Sequence, residues 1–355
     1  MTAAASSGPS PTGSTRRVGF GAGRSVVLHA AGGRRLGLGH LRRCATLAGA
    51  LVAAGARVTL VAEAEDDVAA RFAVDGATLV TAADRAAALD ARAGRGAALV
   101  TDLLGLGPAD AELARAQGFS PLVHVNDDLA GGFQPDLAVL GDVHATTWPG
   151  DRRARRVLAG ARWHCVDPAV AALRPAHPRP AEEASTVLVA MSGADPGQVT
   201  EAVLGGLGAL GWPLRPTVVA GPAFGAARVR ALAATLTGAG ELVLAPPSLG
   251  PLLAEAELVL TLGGLTAYEA MCLGMPVGVV AWPPLAAAVR PLLGTGVVAG
   301  LAAGAEAAAG AAALAADAAA LGRLAGAGWR LVDGLGAGRV AQVIAEAADA
   351  RVGAG

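Results

Sequence analysis

Three glycine-bearing stretches hold the residues of this chain best suited to do chemistry. The first, Gly37-Leu38-Gly39-His40-Leu41-Arg42-Arg43, lies between an apolar run and a helical pattern. Glycines there let the backbone turn tightly and approach a ligand, and the start of a helix favours negative charge. In an open parallel sheet, ligands sit at these carboxyl ends of strands. His40 is thus placed to touch a substrate, where a neutral imidazole can act as a general base; it could equally just cap the helix. The second stretch is Met191-Ser192-Gly193-Ala194-Asp195-Pro196. Small residues followed by Asp-Pro make a turn into a helix with Pro at its first position, and turn chemistry alone would explain them. The third is Leu262-Gly263-Gly264-Leu265-Thr266-Ala267-Tyr268-Glu269-Ala270. Gly263 and Gly264 can offer backbone N–H groups to a phosphate, Thr266 a hydroxyl, and Glu269 a carboxylate for ribose hydroxyls. On a solvated face Glu269 would be ordinary. On a buried face an unpartnered Glu is costly, which favours a ligand role.

Other chemistries are excluded or weakened by what is missing. A G-x-G-x-x-G dinucleotide fingerprint fails at Arg42, although Glu63 stands where a ribose-binding acid would sit. The chain has no lysine, so an internal Schiff base, a P-loop lysine and a kinase-type lysine are all impossible. Cys44, Cys165 and Cys272 are distant from one another, with no C-x-x-C pair, against a disulfide framework or structural zinc. Asp102, His124, Asp127, Asp128, Asp142 and His144 fall in or just after strand ends and could gather a divalent cation. Their spacing matches no compact metal motif, so neither a metal nor another cofactor is expected. The Arg152-Arg153 and Arg155-Arg156 run reads as a solvated loop.

The elements that must position these residues follow from composition and periodicity. Of 355 residues, 53% are hydrophobic and 16% charged, enough apolar material for large cores and too much for a disordered chain. A net charge of −1, with 28 basic residues against 29 acidic ones, argues against nucleic acid as a partner. Residues 1–24 read as a flexible leader. From Ser25, short apolar runs (Val26-Val27-Leu28, then residues 57–61, 77–80, 98–100, 121–125 and 137–140) alternate with Ala-rich helical stretches. The helix over residues 40–54 is the clearest, with Leu41, Cys44, Ala48 and Leu51 on one face. Proline-rich residues 173–185 form a linker. The alternation resumes with strands at 186–191, 217–220, 241–244, 258–260 and 277–280, and helices at 196–210, 302–324 and 339–348. Apolar strands alternating with helices predict an α/β chain of two doubly wound domains, residues 25–172 and 186–355, facing across a cleft. Residues 270–289 lack charge over a membrane-spanning length, but Pro276, Pro283 and Pro284 make them α/β core. A soluble, cytoplasmic protein without an integral membrane segment is expected.

At this point the motifs carry a resemblance. Gly37-x-Gly39-His40-x-x-Arg43-Cys44-x-Thr46-Leu47-Ala48 resembles the signature of the PseG/SpsG family: nucleotide-sugar hydrolases of pseudaminic acid synthesis and spore-coat polysaccharide proteins, related in fold to MurG-type GT-B glycosyltransferases. Ala98-Leu99-Val100-Thr101-Asp102 resembles the family's strand ending in Asp, and Asn126-Asp127-Asp128-Leu129 its Asp-Asp-Leu turn. Ser192-Gly193-Ala194-Asp195-Pro196 with Thr200, Gly264-x-Thr266-x-x-Glu269-Ala270 and Asp333-Gly334-x-Gly336-x-x-Arg339 are similar to later segments. The resemblance covers almost all of the chain after Ser25.

It implies a GT-B-like pair of Rossmann-like domains with a UDP-sugar in the cleft and no metal. His40 would activate water against the anomeric carbon. Gly37, Gly39, Arg43, Asp102 and Asp128 would contact the substrate, and Gly193, Asp195, Gly264, Thr266 and Glu269 the nucleotide. The chain departs from the family at Trp282-Pro283-Pro284-Leu285, where Asn-Gln is usual, at Ser192 and at Leu103, which suggests a different donor or a drift from hydrolysis. A glycosyltransferase, and a nucleotide-sugar binder without turnover, are the alternatives.

Overall fold

The computed structural model describes residues 24–33, 36–83, 96–126, 131–143, 154–180 and 182–352. The apolar runs form two sheets in which the strands pair in parallel. The first contains β1 (Ser25–Ala31), β2 (Arg57–Glu63), β3 (Ala77–Thr81), β4 (Ala98–Asp102), β5 (Leu122–His124), β6 (Leu137–Leu140) and β7 (Arg156–Ala159). Their order across the sheet is β3-β2-β1-β4-β5-β6-β7. The second contains β8 (Thr186–Val189), β9 (Arg215–Ala220), β10 (Glu241–Leu244), β11 (Val259–Thr261), β12 (Val277–Val280) and β13 (Ala299–Leu301). The order there is β10-β9-β8-β11-β12-β13. Central strands such as β4 and β12 are buried along their whole length, because helices cover both faces. The fold is thus α/β with two Rossmann-like halves. β7 and β13 were not evident from the sequence. Both are short edge strands, and β13 is Ala-Gly-Leu, with little of the β-branched character that marks a strand.

Strand order reverses at β1 in one sheet and at β8 in the other, and such switch points open a crevice beyond the strand ends. Helix α1 (Gly39–Ala53) follows β1 and buries Leu41, Cys44, Leu47, Ala48 and Leu51 against the first sheet. Helix α2 (Val199–Ala209) follows β8, and helix α3 (Gly264–Cys272) follows β11.

Three details differ from the pattern in the sequence. Helix α2 starts three residues after Pro196, because residues 195–198 form a separate turn. The alanine-rich stretch at 302–324 is part of two helices, Glu306–Ala315 and α4 (Ala318–Leu331). Asp317 breaks the run by accepting the Ala320 N–H at 2.9 Å. The terminal helix α5 (Gly336–Val352) packs on the first sheet's core rather than the second: Val340, Ala341, Ile344 and Ala345 share a cluster with Leu47 and Leu51. Arg24 pairs with Asp349 at 2.7 Å. The chain therefore crosses between the halves twice. Arg174, in the 173–185 connection, pins the two crossings together by donating to the carbonyls of Trp329 (2.7 Å) and Val332 (2.8 Å). The leader at residues 1–23 lies outside the described residues. Among those described, no single helix is long and apolar enough to cross a membrane. Residues 270–289 are divided among α3, β12, the Trp282-Pro283-Pro284 turn and the start of a helix over Ala286–Leu293.

Candidate functional site

The first wall of the cleft forms where α1 starts beside the end of β4. Ala30 of β1 is in register with Asp102, so the last residue of β4 lies beside the switch-point loop. His40 and Arg43 are three apart on α1 and project from one face. Both reach Asp102. Its Oδ1 accepts from His40 Nδ1 at 2.8 Å and from Arg43 Nη2 at 2.7 Å, while Oδ2 accepts from Arg43 Nε at 2.7 Å. Asp102 is fully buried. Burial alone would raise its carboxyl, yet the Arg43 charge and the bonds from His40 and Arg43 outweigh burial and hold it well below the usual carboxylate range. A lone pair on Nδ1 would face a carboxylate oxygen at 2.8 Å, so Nδ1 carries the proton. The lone pair is then on Nε2, at the other edge of a ring that is 18% exposed.

The second wall is the start of α3. Gly263 (φ 95°) and Gly264 (φ 64°) adopt conformations that suit glycine, and no side chain caps the helix. Space beyond the exposed Gly264 is open, and the first-turn N–H groups of a helix are the end that suits an anion. Glu269 lies further along α3 and is only 7% exposed. No hydrogen bond reaches its carboxyl among the described residues. Burial pushes the carboxyl up to about 7, helped by the nearby Asp167 charge and opposed by Arg42. Arg42 comes from α1 across the seam and is loosely held, 3.4 Å from the Pro247 carbonyl and 3.6 Å from Asp167.

The two walls are joined. Gly193 packs so near Leu38 that a Cβ would come within 2.8 Å of the leucine side chain, which brings the two switch-point loops together. Tyr268 fastens α3 to the first domain: its hydroxyl accepts the Val143 N–H at 2.7 Å, and its ring stacks 3.7 Å from His164, with 8° between the planes. Burial pushes His164 down to about 4, so it is neutral there at ordinary pH.

Arg43 and Asp102 bond to each other, and Asp102 also to His40, so both support the imidazole. Gly37 exchanges backbone hydrogen bonds with Gly33 (2.9 and 2.8 Å) and closes the loop, leaving Gly39 with open space. Asp195 is fully buried and accepts from the Val199 and Thr200 amides (both 3.0 Å), Thr200 Oγ1 (2.7 Å) and Arg228 Nη2 (2.7 Å). Those bonds build the start of α2 and engage both carboxylate oxygens, so Asp195 shapes the loop. Thr266 is half-buried in the first turn of α3. Asp127, Asp128 and His144 lie outside the described residues. Thr101 and His124 are register partners, so they share a sheet face that the next residue, Asp102, does not. No group of three metal-capable side chains gathers among the described residues. Glu63 accepts from His29 at 2.7 Å. Asn126, 3.0 Å from Asp102, opens the Asn126-Asp127-Asp128-Leu129 segment but was not among the expected contact residues. It is also the chain's only asparagine.

No protein-family model matches the chain, and no curated protein does. Solved structures match over nearly their whole length. Acinetobacter baumannii MurG aligns at TM-score 0.59 and 14% identity, covering 91% of this chain and 99% of that one. Anabaena Alr3699/HepE in complex with UDP aligns at 0.59 and 14%, covering 90% and 100%. The glycotransferase of kitacinnamycin aligns at 0.57 and 20%, covering 91% and 99%. The chain has the two-domain, GT-B-like fold of these proteins.

Proposed function

We propose that this chain is an enzyme that cleaves a nucleotide sugar, most simply a UDP-sugar, at the anomeric C–O bond using water activated by His40. The observation that carries the reading is the His40–Asp102–Arg43 network at a switch-point crevice. It leaves one basic nitrogen, Nε2, toward the cleft, and a buried anion behind it to stabilise the imidazolium that forms. Water attacks the anomeric carbon as its proton passes to Nε2, and the C–O electron pair leaves with the diphosphate. The uncapped N–H groups of α3, with Thr266, receive the diphosphate charge. Glu269 accepts from the ribose hydroxyls, which supply the partners its buried carboxyl lacks. In this reading residues 25–172 act on the sugar and the half beginning at residue 186 holds the nucleotide. The similarity in fold to a protein solved with UDP supports a UDP-sugar as the substrate.

A glycosyltransferase is the second reading, favoured by the similarity in fold to the glycotransferase of kitacinnamycin. There, His40 would take the proton of an acceptor hydroxyl. A panel of nucleotide sugars incubated in ¹⁸O-labelled water without acceptor separates the two. Label at the anomeric oxygen of released sugar, absent with His40→Ala, is expected of the hydrolase. Release only after an acceptor is added would assign a transferase. UDP binding with no release under either condition would contradict both.

A further inference from the structure

We propose that Asn126 is a positioning residue for the His40–Asp102 pair, an inference that rests on the reading of His40 as the base. Asn126 stands just beyond β5 and is 8% exposed. Its Nδ2 is 3.0 Å from Asp102 Oδ1 and 3.3 Å from His40 Nδ1. With the amide turned the other way, its oxygen would face the carboxylate, so the NH2 group faces Asp102. Because Nδ1 already carries a proton, the amide donates to Asp102. Oδ1 thereby accepts from His40, Arg43 and Asn126 together.

The three donors differ in origin. His40 and Arg43 both ride on α1, so any shift of that helix against the sheet moves them as one. Asn126 stands just beyond β5, the strand next to the β4 that ends in Asp102, and holds the carboxylate from the sheet side. It thus contributes orientation that the helix pair does not supply. It also gives Oδ1 a third donor, so when Nε2 takes a proton from water the Nδ1 proton stays on the imidazole and is not passed to the carboxylate. The chain uses asparagine once in 355 residues, at this contact.

The test uses Asn126→Asp, which keeps the shape of the side chain but replaces a donor with a second carboxylate beside Asp102. Two adjacent carboxylates compete for the His40 Nδ1 proton, and sharing one proton relieves the conflict as pH falls. Expected at about pH 8 is a kcat loss of at least about 100-fold with KM changed less than about threefold, the loss shrinking to about tenfold near pH 6. Asn126→Ala, which lacks the second charge, is expected to lose about tenfold with no such pH dependence. In a His40→Ala background, Asn126→Asp should cost nothing further, because both act through one group. Turnover of Asn126→Asp within about twofold of wild type at pH 8 would overturn the proposal. A full additional loss in the His40→Ala background would also overturn it, since that is what structural damage would produce. His40→Ala with wild-type turnover would sink the hydrolase reading instead. The side-chain ¹⁵N shifts of His40 then decide for Asn126: moved in Asn126→Asp supports the proposal, unmoved overturns it.

Discussion

The two walls of the cleft treat their buried charges in opposite ways. Beside α1, Asp102 has both oxygens engaged by His40, Arg43 and Asn126, and its carboxyl is held far below the usual range. Beside α3, Glu269 is almost as deeply buried, takes no hydrogen bond from the described residues, and its carboxyl is pushed up to about 7. A catalytic group gains from a geometry fixed in advance, so its supports belong to the protein. A binding group gains from partners that arrive with the ligand, and until then it weakens the fold.

The comparison breaks most readily at Asp102. Asp102→Ala leaves the Arg43 guanidinium without its carboxylate, and loss of one partner of a buried pair is expected to destabilise by about 3–5 kcal/mol. Urea unfolding measures this, and a loss below about 1 kcal/mol would mean the network is not rigid support. Glu269→Gln should do the reverse, with a sign set by pH. The folded carboxyl titrates near 7, above the roughly 4.3 of an unfolded chain. Between those values the native state binds more protons than the unfolded one, so stability falls as pH rises through the window. Removing the titration should therefore stabilise by about 2–4 kcal/mol at pH 8 and by almost nothing below about pH 4. Unfolding curves at the two pH values check it, and equal effects at both would place the cost elsewhere than in ionisation. Arg42 supplies the smallest effect. Its long contacts and one-third exposure predict a change of about 0.5 kcal/mol or less for Arg42→Gln. Because Arg42 opposes the rise at Glu269, the pH window of instability should extend upward in that variant.

How much of this could be read in the sequence depended on how local each signal was. Gly39, His40 and the uncapped start at Gly263-Gly264 are contiguous with the strand–turn–helix patterns that carry them, and the structure places them at the two crevices. The α/β class was legible because β1, β4 and β12 each carry a short apolar run, at residues 26–28, 98–100 and 277–280. Asp195 was legible only in part: the same Asp-Pro turn suits a ligand or a cap, and its bond to Arg228, a residue remote in sequence, left no local signal. Asp102 was legible as a strand-end acid, but its engagement by Arg43 and Asn126 depends on sheet order. The return of α5 to the first sheet was hidden for a related reason. Chain order says which elements follow each other, whereas Ile344 and Leu47 meet only because the second crossing brings the helix back.

The proposed mechanism requires the two walls to do separate work. Isothermal calorimetry of UDP and turnover of the best nucleotide sugar, both measured on His40→Ala and Glu269→Gln, test this directly. His40→Ala should bind UDP within about twofold of wild type while turnover drops at least about a hundredfold. Glu269→Gln should lose about 1.5–3 kcal/mol of UDP affinity, the scale of a hydrogen bond to a charged group. Equal loss of UDP affinity in both variants, or full turnover without His40, would contradict the division of the cleft into a catalytic and a binding wall.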